Sequence, residues 1–163
     1  MGARSEALAK QFVAKAQEAV AVLERLSDTD WKKLTDAERW TVGVTAHHLA
    51  SAFEPVAGLV TAIASGQSRG HLARAMLDKV NARHAQERAN CTKAETIALF
   101  RRGAAAVAAV VRGLSDDQLA QSGTVFTDAP PMTAEQLITT GLISHIDAHV
   151  GSIRRAVGNR RGS

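Results

Sequence analysis

An all-α bundle is the fold this sequence predicts, on three observations. Apolar residues recur at three- and four-residue steps through four long segments, helix-capping patterns stand at the starts of several segments, and no alternating apolar–polar run bounded by turn dipeptides is found. With 163 residues, 45% of them hydrophobic, the chain is expected to form one domain over residues 1–163 with a core of its own.

The first helix is expected over Arg4–Leu26, where Leu8, Phe12, Ala16, Ala19, Leu23 and Leu26 make one stripe. Thr35 and Glu38 have the spacing of a capping box. A second long helix should run from Thr41, its N-cap, to Ala64, with Val44, Leu49, Ala52, Val56, Leu59 and Ile63 on one arc. Pro55 lies inside it, removes a backbone donor and should bend it. The segment Leu72–Ala89 is charged apart from Met76, Leu77 and Val80 on one side, so it should pack on the rim. His71 and His84 within this region read as solvated surface residues.

Thr92 with Glu95 marks the start of a helix to Gly113, its stripe being Ile97, Phe100, Ala104, Val107, Val111 and Leu114. Ser115 with Gln118 marks another start, and Thr133 with Gln136 opens the last helix, to Val157. Between them, Ala120–Met132 contains Gly123, Pro130 and Pro131 and is the longest irregular stretch; it is either a plain solvated connection or a crossover whose Phe126 tucks over a pocket.

Composition narrows the function. A lone cysteine, Cys91, excludes an intrachain disulfide and favours a cytoplasmic protein. No stretch has the length of a membrane span, the N-terminus lacks a signal-peptide core, and Glu6 stands where myristoylation needs Ser or Thr. The net charge of +4 raises the question of nucleic acid, but Lys and Arg are scattered. Their dense group, Arg154, Arg155, Arg160 and Arg161, sits at the end of the last helix, where the helix dipole favours cations. Neither a nucleic-acid nor a membrane partner is expected.

The residues that carry chemistry are histidines. His145 and His149 are four apart and therefore on one face of the last helix, in line with Ile138, Leu142, Ile153 and Ala156. A buried imidazole left without a partner costs about 1–3 kcal/mol, so two on one core stripe need a common explanation. His48 falls within the apolar arc of the second helix; His47 falls on the other side with Glu54 and Gly58 and should point elsewhere. Three neutral imidazoles on two facing helices would hold one divalent ion and leave a coordination position open.

Other chemistries lack their residues. No His-Glu-x-x-His, Gly-x-Ser-x-Gly or phosphate-binding glycine loop occurs, and there is no tyrosine. Cys91 has no histidine partner in sequence and reads as an incidental cysteine near a helix start. Ser51 and Ser152 lie one turn from the expected ligands, where serines usually just pack.

The run Trp40-Thr41-Val42-Gly43 followed by His48-Leu49-Ala50, and Met132-Thr133-Ala134-Glu135-Gln136-Leu137 leading into His145-Ile146-Asp147-Ala148-His149, resemble the DinB-like (damage-inducible) superfamily over nearly the whole chain. Asn81-Ala82-Arg83 shares the likeness less specifically. The resemblance implies a four-helix bundle with additional short helices. It also implies a divalent ion, zinc or nickel, on His48, His145 and His149. Members of that superfamily include S-transferases and isomerases that use mycothiol, bacillithiol or glutathione. The activity implied is thus a metal-dependent thiol transferase or isomerase of a small-molecule substrate, with a low-molecular-weight thiol as cofactor. A non-catalytic, metal-containing stress-associated or small-molecule-binding bundle is the alternative. Family habit and Ala-rich helix surfaces imply a homodimer. The second domain that comes after the bundle in mycothiol-dependent maleylpyruvate isomerases is not expected within these residues.

Overall fold

The computed structural model describes residues 2–67, 70 and 72–158; His71, Arg160 and Arg161 lie outside them. The helices are α1 (Ala3–Glu24), α2 (Asp28–Trp31), α3 (Val42–Ala64), α4 (Arg74–Glu87), α5 (Lys93–Arg112), α6 (Asp116–Ala120), α7 (Ala134–Ile138) and α8 (Ser144–Val157). A π-helical turn, Thr139–Ile143, joins α7 to α8, so the two make one long helix with a register change in it. The bundle is built from α1, α3, α5 and α7–α8: α5 packs against both α1 and α3, and α8 against α3 and α1. Among the described residues no helix is long and apolar enough to cross a membrane.

Side-chain shape locks the bundle at its centre. Phe12 of α1, Phe53 of α3 and Phe100 of α5 are fully buried and meet edge to face, with ring centroids 5.5 Å and 4.8 Å apart. Each such burial is worth about 1.5–3 kcal/mol. Gly103 admits the middle ring, because a Cβ there would lie 3.0 Å from Phe53. At the upper end Trp31 lies against Gly43, where an added Cβ would come within 2.4 Å of the indole nitrogen; that N–H donates to the Cys91 carbonyl at 2.9 Å. One indole thus ties α2 to the first turn of α3 and to the lead-in of α5.

The capping boxes Thr92–Glu95, Ser115–Gln118 and Thr133–Gln136 form as the sequence predicts, and Thr41 caps α3 by accepting from the Val44 amide at 3.1 Å. Pro55 is accommodated within α3, which runs unbroken to Ala64. Thr35–Glu38 is a correction: no helix starts there. The segment is a loop closed by Val42 N–H to the Lys33 carbonyl and Thr35 N–H to the Trp40 carbonyl, both 2.8 Å. Strand structure is also present, though small. Ser122–Gly123 (β1) pairs antiparallel with Met132–Thr133 (β2), pinching the base of the Ala120–Met132 connection.

That connection is not a plain solvated one. Phe126 is half-buried against the core, bridges to Leu72, and carries the Arg74 guanidinium 5.4 Å from its ring centroid. The helix it helps to place, α4, lies on the rim, though it is not held there by its apolar side: it has no buried residue, and Met76 and Val80 stand 49% and 52% exposed. Its hold on α3 is polar instead.

Candidate metal centre

α3 and α8 bring His48, His145 and His149 together. Each offers one ring nitrogen, and these nitrogens all lie within 4.8 Å of one another. The Nε2 atoms of His145 and His149 are 2.9 Å apart. Their rings stand nearly perpendicular, 87° at 4.4 Å, and His48 faces both edge-on at 5.4 Å and 4.9 Å. Tetrahedral ligation at 2.0–2.1 Å needs nitrogens about 3.3 Å apart, so small side-chain rotations would suffice to close the set on one ion.

The register of α8 explains why the histidines are within reach rather than sealed in. Its buried arc is Ile146, Val150 and Ile153, and both histidines flank it, half-buried. The stripe counted from Ile138 at a constant period puts them in the core itself; the π turn adds a residue to the register and rotates the helix beyond it. Asp147, Arg154 and Arg155 face water as expected.

Burial and neighbouring positive charge keep His48 and His145 neutral, the form that ligates. His48 is pushed down to about 3 by burial first and then by His149 and His145. His145 is pushed down to about 4 by the same two causes, His149 being its charged neighbour.

The loop between α2 and α3 reaches this site from outside. Glu38 places Oε1 2.7 Å from His149 Nδ1, while its other oxygen, Oε2, is buried without a partner. Burial works to raise the Glu38 carboxyl, but the polar neighbourhood of Thr35 and His149 outweighs it and holds the group below the ordinary carboxylate range. Asp36, two residues earlier, receives two hydrogen bonds from Arg155 of α8, at 2.8 Å and 3.1 Å. Trp40, two residues later, meets the His48 ring edge-on at 5.2 Å.

A second histidine pair lies on the neighbouring face of α3. His47, only 4% exposed, has its Nδ1 2.9 Å from His84 Nε2, and Ser51 Oγ is 3.2 Å from that same atom. Both imidazoles are shifted downward, chiefly by burial. His84 Nδ1 is buried without a partner, and the His84 ring lies 6.0 Å from that of His48. Beside the pair a groove of about 460 Å³ opens between α3, α4 and α5, where Ser51, Glu54, Arg88, Glu95 and Arg102 also reach it.

The structure therefore gathers the three expected ligands and turns His47 away from them. His84 is a correction, since it is a half-buried partner of His47 and the anchor of α4 rather than a solvated residue. Sequence reasoning missed Glu38 as a partner of His149, having paired it with Thr35. Their separation of 111 positions leaves no local signal. Cys91 is half-buried, and burial pushes its thiol up, away from a nucleophile's range. Ser152 is buried and accepts from Arg155; Ser51 donates to the His48 carbonyl at 3.1 Å.

No curated protein and no solved structure matches the chain. A family profile does, that of the mycothiol maleylpyruvate isomerase N-terminal domain, over residues 12–142. The match takes in His48 and stops short of His145 and His149, which the structure nevertheless brings to His48. This family is part of the DinB-like superfamily, in keeping with the all-helical bundle and the histidine cluster. The chain belongs to the mycothiol maleylpyruvate isomerase N-terminal domain family.

Proposed function

We propose that this protein binds one divalent transition metal, zinc or nickel, through His48, His145 and His149 and uses it on a low-molecular-weight thiol, as a thiol S-transferase or isomerase of small molecules. The observation that carries the reading is the convergence of three imidazoles from two helices, with nitrogens within 4.8 Å of one another. Uncharged nitrogen donors suit zinc and nickel better than magnesium or calcium, which prefer oxygen. Bound there, such an ion would supply Lewis acidity that makes a thiol or water anionic near neutral pH.

The chain's own groups support chemistry over inert storage. The groove at His47 and His84, with Arg88 and Arg102 on its wall, is of a size for a small ligand and begins one ring from His48. The same reading places the protein in the cytoplasm, as a homodimer and a single domain.

Elemental analysis of untagged protein tests the first half. About one equivalent of zinc or nickel is expected, and none after His149→Ala. Cobalt-loaded protein tests the second. Thiolate ligation adds charge-transfer absorption that water and imidazole lack, so mycothiol, bacillithiol or glutathione should produce a new band. No change with any of the three at millimolar concentration would leave a metal-binding bundle that does not act on thiols, the non-catalytic alternative.

A further inference from the structure

We infer that Glu38 is a positioning residue for the metal centre: its carboxylate fixes His149 with the hydrogen on Nδ1, so that the Nε2 lone pair is turned toward His48 and His145. The inference rests on the proposed metal binding for its purpose but not for its geometry.

The logic begins with hydrogen-bond inventory. An ionised carboxylate only accepts, so at 2.7 Å from Glu38 Oε1 the His149 Nδ1 must carry the hydrogen. In a neutral imidazole that leaves Nε2 as the bare nitrogen, and Nε2 is the atom that lies 2.9 Å from His145. Histidines that ligate metals usually have their second nitrogen held this way, because the outer partner selects the tautomer, sets the ring plane and raises the donor's basicity.

Three further features set Glu38 apart from an incidental neighbour. The residue that follows it, Arg39, is the one non-glycine residue among those described with a positive φ, at 62°. That conformation is uncommon for a side-chain-bearing residue and persists where the surroundings impose it. The loop is pinned on both sides, by the two Asp36–Arg155 hydrogen bonds and by Trp40 against His48. Lastly, Glu38 buries Oε2 with no partner, a cost that a residue serving only to close the loop would avoid by facing water.

The test is done on untagged full-length protein freed of metal, at pH 8. Long-range 1H–15N correlation, with the His149 signals assigned against His149→Gln, should show the Nδ1–H tautomer in the wild type. Glu38→Ala should move His149 toward the Nε2–H tautomer that an unconstrained histidine side chain prefers; Glu38→Gln, whose amide oxygen still accepts, should stay close to wild type. In competition with a chromogenic chelator, zinc affinity should fall roughly 10–100-fold in Glu38→Ala, and less in Glu38→Gln. An unchanged His149 tautomer in Glu38→Ala, or equal zinc affinity in all three proteins, overturns the role. Wild-type protein that shows the Nδ1–H tautomer yet binds no zinc overturns the metal reading alone, so the two failures are told apart.

Discussion

His145 and His149 meet Nε2 to Nε2 at 2.9 Å, one turn apart on α8. Two bare nitrogens repel at that distance, so the contact needs a shared hydrogen or a shared ion between them. With Glu38 holding the other nitrogen of His149, the bridging hydrogen in metal-free protein belongs to His145. A metal ion would replace it and draw in His48 from α3, coupling α3 to α8 across the bundle.

Removal of one ligand should therefore erase the stabilisation that metal confers and little else. At zinc activities 100 times the dissociation constant, binding to the folded state alone contributes about 2.7 kcal/mol. For a chain of this size that is a rise on the order of 5–10 °C in melting temperature. Calorimetry of His145→Ala should show no rise with zinc, and a metal-free melting temperature within a few degrees of wild type. An equal zinc-induced rise in the variant would remove His145 from the ligand set.

α4 is held in a different way, and more weakly. With no buried residue, it relies on His84 against His47 and Ser51, and on Arg74, whose amide donates to Asp128 at 3.2 Å. His84→Ala should speed amide hydrogen exchange across Arg74–Glu87 by at least tenfold while exchange in α5 stays slow. Uniform exchange rates in variant and wild type would show that some other contact anchors the helix.

Sequence patterns disclose whatever neighbouring residues decide. Thr92 with Glu95, Ser115 with Gln118, and Thr133 with Gln136 cap helices because each pair satisfies the other's backbone across three residues. The stripes of α1 and α5 likewise report one face of one helix. The histidine triad was legible in part: the four-residue spacing on α8 needs no tertiary knowledge, and the arc on α3 picked out His48, although His47, read as lying off that arc, is the more buried of the two. Glu38 and His84 were not legible, because each finds its partner across the fold. For Glu38 the same Thr-x-x-Glu pattern that caps helices elsewhere pointed to a local role. The π turn was hidden as well, since Thr139–Ile143 has no residue that forbids an ordinary α turn.

Gly43 offers a test of the packing that aligns the start of α3 and hence His48. A methyl group there would collide with the Trp31 indole at 2.4 Å, so Gly43→Ala must displace the ring and break its 2.9 Å bond to the Cys91 carbonyl. Overpacking of this kind costs typically 1–3 kcal/mol. Urea denaturation should show a loss in that range, with red-shifted tryptophan emission in the native baseline. A variant as stable as wild type would mean that the indole has somewhere else to go.

Acid should destabilise the metal-free protein through its histidines before its carboxylates. His48 and His145 titrate at about 3 and about 4 in the folded state, against an ordinary value of 6.5, and His47 and His84 are shifted in the same direction. Below about pH 6.5 the unfolded chain takes up protons that the folded site refuses, so stability must fall with falling pH. The loss continues to about pH 3, the folded value of His48, and is exhausted once the folded imidazoles are themselves protonated. Asp30, held at about 2 chiefly by its bond from Lys33, contributes its own loss only below the ordinary carboxylate value of 3.8. The interval from pH 6.5 to 4.5 therefore isolates the histidines. Melting temperatures of chelator-treated wild type should drop across it, and those of a His48→Gln/His145→Gln variant should drop distinctly less, since glutamine cannot be protonated there. Zinc-loaded wild type should fall more steeply than either, because protons then also compete with the ion for the same nitrogens. Parallel curves for wild type and the double variant would mean that His48 and His145 are already as accessible to protons folded as unfolded, contrary to their burial.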